Sequence, residues 1–281
     1  MIPIGILTRN RAVYLDATLR SLSATRIPRK TPLIVYDDAS DALLARRYLD
    51  TTDTFTVEHP WPRCEQWTAA GLDFLPDNPT LRGIADRIEV VAVDRCAVGV
   101  ANASCFAIRD LFARCPDAPG VILLQDDVVF TANWYERLVG LVGRVFQVGR
   151  RQGIVAGMHL DHRQKRRINR TSPVRFCSAQ CYLITRELFE DQRAWFDRTD
   201  HEPRNFDKWL CKLLRTKGFE LQLLHPYVCQ HIGVVSKVRP DSAFYRDDRA
   251  AGRIGMGASG VCLITERVHI FTDLPSEVAA H

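Results

Sequence analysis

The sequence predicts an α/β fold with a mostly parallel central sheet, and two observations support this. Short apolar runs flanked by turn residues alternate with stretches of helical period through the first 145 residues. Alternation of this kind is typical of parallel strands joined by crossover helices. The chain has 281 residues, 46% hydrophobic and 25% charged, which is an ordinary globular composition with enough apolar material for a large core.

The first part of the chain reads as successive strand and helix units. Strands are predicted at residues 2–7, 32–36, 55–58, 88–93 and 121–124, and helices at residues 14–22, 42–48, 100–114 and 132–145. Each predicted strand is too short to cross a bilayer, which needs about 20 apolar residues. The sequence therefore predicts no transmembrane segment.

The pattern changes after about residue 150. Apolar residues 153–158 precede a basic stretch, a strand at 176–185, helices at 186–196 and 205–216, and strands at 221–224 and 227–229. Beyond His231 the periodicity is weak, which suggests loops or a mobile C-terminal segment. Because no linker or repeat separates the parts, we expect one compact domain with two halves, residues 1–150 and 151–281.

The net charge and the cysteines bear on whether the protein binds nucleic acid and on where in the cell it works. The net charge of +5 is too mild to indicate nucleic-acid binding by itself. However, six of the thirteen residues from Arg163 to Arg175 are basic, which predicts either a surface for an anionic partner, DNA included, or a solvated loop. The nine cysteines form no disulfide framework, and no signal peptide precedes the first strand, so a cytoplasmic protein is expected.

Two common phosphate-binding loops are missing. No G-x-G-x-x-G follows the first strand, and no G-x-x-x-x-G-K-[ST] occurs. Parallel α/β sheets tend to bind nucleotides at the carboxyl ends of their strands. If this sheet does so, a divalent cation held by carboxylates is the obvious means of neutralising the phosphates.

Asp126 and Asp127 supply such carboxylates. They directly follow the apolar strand predicted at residues 121–124, so they lie at its carboxyl end. Hard oxygen ligands suit Mg²⁺ or Mn²⁺. An isolated Asp-Asp pair can instead cap the following helix, but this pair ends a strand that reads as fully buried.

Together, these motifs resemble those of GT-A glycosyltransferases, and among them the sequence is similar to the N-acetylglucosaminyltransferase I family. Residues 2–11 resemble the family's first strand and nucleotide-contacting turn, and residues 33–40 its second strand, whose acidic end faces the base or ribose. Residues 123–128 resemble its Glu-Asp-Asp-Leu version of the D-x-D motif. Residues 205–210 resemble the W-D-x-W-M segment that holds the catalytic base. The resemblance spans about residues 2 to 235.

The resemblance implies a metal-dependent, inverting transfer of a sugar from a nucleotide-sugar, with a UDP-sugar favoured, to an acceptor hydroxyl. Residues 1–150 would bind the donor, and residues 151–281 would bind the acceptor and carry the base, Asp207. Mn²⁺ or Mg²⁺ would be held by Asp127 and His231. The implied donor-binding residues are Thr8, Arg9, Asp37, Asp38, Gly99, Gln125 and Asp126.

Several of these assignments have alternatives. His231 is either a metal ligand or a core histidine, and Gly99 either admits the donor to a helix N-terminus or only starts the helix. Asp207 is either the base or a first-turn acid that satisfies the helix dipole, with Glu202 as the rival base. Gln125 replaces the family's Glu, so the donor sugar is open.

The acceptor and the reaction class also have alternatives. Ser236, Lys237 and Arg239 either close over a diphosphate or form a solvated loop. The acceptor is a glycan, a lipid-linked sugar, a protein hydroxyl or a hydroxylated base in DNA. A nucleotidyltransferase would show a glycine-rich loop after the first strand, but residues 8–11 contain no glycine. A catalytically silent binding module has no need of both the Asp126-Asp127 pair and Asp207. The Golgi anchor of the family is missing, which suggests a bacterial or phage protein.

Overall fold

The structure is a computed structural model. It describes residues 1–9, 12–38, 54–57, 64–67, 88–93, 99–145, 148–158, 180–201, 206–224 and 227–231. The predicted helix at 42–48 and the segment after His231 lie outside these residues. Among the described helices, none combines the length and apolar character that a membrane crossing requires.

The described elements follow the predicted order, except that the strands at Cys64–Trp67 and Val128–Phe130 were not predicted. The strands are β1 Ile4–Thr8, β2 Leu33–Asp37, β3 Thr54–Val57, β4 Cys64–Trp67, β5 Ile88–Val93, β6 Gly120–Gln125, β7 Val128–Phe130, β8 Arg151–Ala156, β9 Cys181–Thr185, β10 Phe219–Leu223 and β11 Cys229–His231. The helices are α1 Ala12–Ser23, α2 Val100–Arg114, α3 Trp134–Val139, α4 Arg186–Asp191, α5 Arg193–Phe196 and α6 Phe206–Thr216.

Nine of the described strands form one sheet in the order β10-β8-β9-β6-β1-β2-β5-β4-β3, and β11 and β7 form a separate two-stranded sheet. In the large sheet β9 and β4 run antiparallel to both of their neighbours. All its other described strands point the same way. The predicted α/β fold with a mostly parallel sheet is therefore confirmed.

The centre of the sheet is buried on both faces. Every residue of β1 and of β2 is buried, and β6 is buried up to Gln125, which explains why these strands read as continuous apolar runs rather than alternating ones. Gly5 lets α2 approach closely, because a Cβ there would lie 2.9 Å from the Leu111 side chain. The Leu111 side chain of α2 therefore packs directly on β1.

Two predicted helices differ from the structure. The helix predicted at residues 132–145 is shorter, because α3 ends at Val139 and the chain turns through Gly140 and Gly143, the latter with φ 80°. The helix predicted at 186–196 is divided into α4 and α5 at Gln192, whose φ of −116° and ψ of 25° are not helical. Both differences lie away from the predicted functional residues.

Candidate active site

Strand direction gathers the predicted polar residues at one edge of the sheet. β1 lies between β2 and β6, parallel to both, with Thr8 opposite Asp37 and Leu7 opposite Gln125. The carboxyl ends of these strands therefore meet. The acids that follow β2 and β6 flank the end of β1 on either side.

Asp126 is held in place by two hydroxyl groups. Its side chain is only 2% exposed, and its Oδ2 accepts a hydrogen bond of 2.8 Å from the Thr8 hydroxyl. The hydroxyl of Thr18 on α1 donates to the Asp126 carbonyl oxygen at 2.7 Å. Gln125, the residue before it, donates its backbone N–H to the Gln180 carbonyl at 2.9 Å. Both the side chain and the backbone of Asp126 are thus fixed.

Asp127 contacts His231. The Nε2 of His231 lies 2.9 Å from Oδ2 of Asp127, and both side chains are almost completely buried. β11 brings them together, because it pairs antiparallel with β7 and places His231 opposite Val128. The other ring nitrogen, Nδ1, is buried without a hydrogen-bond partner among the described residues, so the Asp127 contact alone orients the ring there.

The 2.9 Å between the two atoms is a hydrogen-bond distance, and the same two side chains could also share one cation. Neighbouring ligands about 2.1 Å from an octahedral ion lie about 3.0 Å apart, close to the 2.9 Å observed between Asp127 and His231. An imidazole beside a carboxylate favours a transition metal such as Mn²⁺ over Mg²⁺, which prefers oxygen alone. No group of three His, Cys, Asp or Glu that could hold a metal ion occurs among the described residues, so water, phosphate oxygens or residues outside the described part of the chain would complete the shell.

Arg9 and Asp38 lie at the adjoining end of β1 and β2. The Arg9 guanidinium is 4.0 Å from the Asp38 carboxylate, with the Arg9 side chain 48% exposed and that of Asp38 14% exposed. The Asp38 backbone N–H donates to the Thr8 carbonyl at 3.0 Å, while Asp37 is buried. A cation and two acids therefore adjoin the Asp126 side of the site.

Gly99 begins α2 with φ 103°, a backbone conformation that favours glycine, and it provides no side-chain cap. The first backbone N–H groups of a helix have no partner within the helix and carry partial positive charge. Since α2 runs into β6 through a short turn, its N-terminus lies at the carboxyl edge of the sheet. The predicted opening of a helix at Gly99 is confirmed, and its donor contact stays a prediction.

Asp207 lies in the first turn of α6 and is partly buried. The neighbouring Phe206 ring packs against Tyr182 and Trp195, with ring centroids 6.3 Å and 6.2 Å away. Burial raises the pKa of Tyr182 well above its usual value, and the charges of Cys105 and Asp207 add to the rise. Asp207 of α6 therefore lies near Tyr182, which belongs to β9, the strand that pairs with β6.

Asn102 links α2 to the segment before α6. Its side-chain oxygen accepts from the His201 N–H at 3.0 Å, and its side-chain nitrogen donates to the His201 carbonyl at 3.3 Å. The His201 ring packs on Trp195, with centroids 4.5 Å apart. The chain that leads to Asp207 is thereby attached to the first turn of α2.

Some predicted residues cannot be located, and some important residues were not predicted. Those outside the described residues are Glu202, Ser236, Lys237, Arg239 and the stretch from Arg163 to Arg175. The sequence argument missed Thr18, Asn102 and Tyr182. For Thr18 a signal existed, because Thr18 and Ser21 lie three residues apart on the apolar side of α1.

No family model and no curated protein matches the chain. Among solved structures, S. aureus TarS 1-349 matches with a TM-score of 0.52 and 10% identity, covering 81% of this chain and 59% of that one. TarS 1-349 in complex with UDP-GlcNAc matches with 0.50 and 10%, covering 82% and 58%. The mannosyltransferase PcManGT from Pyrobaculum calidifontis, in complex with GDP-Man and Mn²⁺, gives 0.48 and 15%, covering 79% and 56%.

These likenesses concern the fold. The chain spans about three fifths of the length of the TarS structures that it matches. The chain therefore has the mixed α/β fold found in the glycosyltransferase TarS.

Proposed function

We propose that this protein is a metal-dependent glycosyltransferase that moves a sugar from a UDP-sugar to an acceptor hydroxyl. The observation that carries the proposal is the buried contact between Asp127 and His231 beside the fixed Asp126, at the carboxyl edge of the sheet. The shared fold with TarS, which has been solved with UDP-GlcNAc, supports a nucleotide-sugar as the donor.

The donor would lie along the carboxyl ends of β1, β2 and β6. Asp37 and Asp38 lie at the carboxyl end of β2, which would face the base and ribose. Arg9 and the N-terminus of α2 at Gly99 would offer positive charge and N–H groups to the diphosphate, as helix N-termini commonly do. Gln125 and Asp126 would face the sugar.

Asp127 and His231 would hold the divalent cation. When bound, that cation would offset the charge of the diphosphate and of the departing nucleoside diphosphate. We propose Mn²⁺ over Mg²⁺ because one of the two ligands is an imidazole nitrogen. Burial of both side chains keeps the pair in a fixed geometry and limits competition from water.

Asp207 would act as the general base of an inverting, single-displacement transfer. An acceptor hydroxyl is a poor nucleophile at neutral pH, and a placed carboxylate that removes its proton typically contributes about 10²- to 10⁴-fold in rate. Phe206 anchors the start of α6 against Tyr182 and Trp195, which holds the neighbouring Asp207 at the edge of the core. The stretch from Arg163 to Arg175 would meet an anionic acceptor.

The proposal is tested by incubating the protein with UDP-, GDP- and TDP-sugars, with Mn²⁺, Mg²⁺ or EDTA, and measuring the nucleoside diphosphate released. We expect release from a UDP-sugar with Mn²⁺, less with Mg²⁺, and none in EDTA. Nucleoside triphosphates are included in the same panel. Pyrophosphate release from a triphosphate, without hydrolysis of any nucleotide-sugar, would indicate nucleotidyl transfer and refute the proposal.

A further inference from the structure

The short strand β7 is hydrogen-bonded differently along its two edges. On one edge it pairs with β11, and the Thr131 N–H just beyond it donates to the Val228 carbonyl at 2.9 Å. Successive N–H groups of a strand point in opposite directions, so those of Val128 and Phe130 face the other way. They donate to side chains of α1, to the Thr18 hydroxyl at 3.1 Å and the Ser21 hydroxyl at 2.8 Å.

α1 thus replaces a neighbouring strand along this edge of β7. Thr18 and Ser21 are three residues apart, so their hydroxyls lie on the same side of the helix. That spacing matches the two N–H groups of β7. Both residues are essentially fully buried, at 0% and 1% exposure, so neither hydroxyl exchanges its partner for water.

Besides its bond from the Val128 N–H, the Thr18 hydroxyl has two acceptors, and one of them lies on the other side of Asp127. While Thr18 accepts from the Val128 N–H, its hydroxyl donates to the Asp126 carbonyl at 2.7 Å, with the Val128 carbonyl as a second acceptor at 3.0 Å. One hydroxyl therefore joins the residues on both sides of Asp127. Together with the bond from Thr8 to the Asp126 carboxylate, it fixes the backbone from which Asp127 projects.

We infer that Thr18 is a positioning residue for Asp127, setting the turn between β6 and β7 so that the carboxylate meets His231 at the spacing of two metal ligands. The inference rests on the proposed function, because it assigns Asp127 and His231 to the cation. It concerns the hydroxyl alone. Valine has the same shape as threonine but can neither accept from Val128 nor donate to Asp126.

Thr18→Val is the informative variant, and Ser21→Ala is its matched control. Each loses one buried hydroxyl from α1 and leaves one N–H of β7 without its partner, so both should lose stability. Only Thr18→Val also releases the Asp126 carbonyl. Thr18→Ser keeps the hydroxyl and removes only a methyl group, and it serves as the rescue variant.

The measurement is Mn²⁺ affinity, from the loss of the free-ion EPR signal, with saturating UDP and no acceptor. Thermal unfolding is recorded in parallel. We expect the Kd for Mn²⁺ to rise at least tenfold in Thr18→Val but less than threefold in Ser21→Ala and Thr18→Ser, with comparable thermal destabilisation of Thr18→Val and Ser21→Ala. Asp127→Ala should abolish binding, which identifies the site.

Three outcomes would overturn the inference. In the first, Thr18→Val binds Mn²⁺ as tightly as the wild type while Asp127→Ala does not, which leaves the proposed function standing. In the second, Thr18→Ser, which keeps the hydroxyl, binds Mn²⁺ at least tenfold more weakly than the wild type, so the methyl group rather than the hydroxyl matters; this comparison does not need Thr18→Val to fold. In the third, the wild type binds no Mn²⁺, which refutes the metal site as well.

Discussion

His231 Nε2 and Asp127 Oδ2 lie 2.9 Å apart, although the two residues are 104 positions apart in the chain. Pairing of β7 with β11 produces this contact, since β7 directly follows Asp127 and β11 ends at His231. A residue from the end of the described chain is thus placed against the carboxylates that end β6.

Replacing Asp127 with alanine should abolish Mn²⁺ binding and lower donor-dependent activity at least a hundredfold, because His231 would remain as the only assigned ligand. Circular dichroism should show a retained fold, since the sheet pairing does not use this side chain. Asp117→Ala, on an exposed turn, is the control and should behave as the wild type. Full turnover of the wild type in EDTA would disprove the metal requirement.

Asp207→Asn keeps the shape of the side chain but removes its basicity. We expect kcat to fall at least a hundredfold with an unchanged KM for the donor, because the acid acts on the acceptor hydroxyl. Asp197→Asn, at an exposed carboxylate paired with Arg193, is the control. The wild-type product, examined by NMR, should have the anomeric configuration opposite to that of the donor; a near-normal kcat or a retained configuration contradicts the assignment.

Neutralising Arg166 and Arg167 to glutamine tests the basic stretch, which lies outside the described residues. If the acceptor is anionic, its KM should rise and become less dependent on salt, because fewer counterions are released on binding. Donor affinity should not change. The double control Arg29→Gln and Lys30→Gln removes the same charge from an exposed turn. An equal salt dependence in all three proteins would show that the stretch is only a solvated loop.

His201 should make the fold sensitive to mild acid. Burial lowers the pKa of this histidine, and Arg198 and Arg109 lower it further, against the opposing effects of the Trp195 carbonyl and Asp200. Because the folded pKa is below the unfolded value of about 6.5, the unfolded state binds the proton more readily. Stability should therefore fall as the pH drops through about 6.5 and level off below the folded pKa.

This dependence is measured by urea unfolding between pH 8 and pH 5, comparing the wild type with His201→Gln. The variant has no imidazole to titrate, so its stability should change less over this interval. His281→Gln, which replaces a histidine distant in sequence from His201, is the matched control. Its unfolding free energy should change with pH as that of the wild type does. A His201→Gln slope equal to that of the wild type would show that other groups govern the acid sensitivity.

The sequence was sufficient for the fold class and for the chemistry of the strand ends. Buried parallel strands are continuous apolar runs, so the acids at residues 37–38 and 126–127 could be placed at their carboxyl ends without coordinates. The order of strands in the sheet could not be read in this way. It depends on contacts such as that of β1 with β6, between residues far apart in sequence.

The spacing of Thr18 and Ser21 was a signal in the sequence, but the partners of Thr18 were not predictable, for a related reason. A threonine inside a helix usually bonds to its own helix or to water, and only the tertiary position of β7 makes it a partner of Asp126 and Val128. The contact of Asn102 with His201 has the same character. The local sequence pattern identifies the residues at the ends of strands. The residues that orient those side chains can be recognised only in the folded structure, where distant elements pack together.

The position of β1 between β2 and β6 also has a consequence for synthesis of the chain. β2 follows β1 closely, but the roughly 90 residues from the end of β2 to the end of β6 take about 5–20 s to translate at 5–20 residues per second. During that interval the backbone N–H and C=O groups along one edge of β1 lack the strand that later pairs with them. The nascent chain should therefore depend on chaperones until β6 emerges from the ribosome.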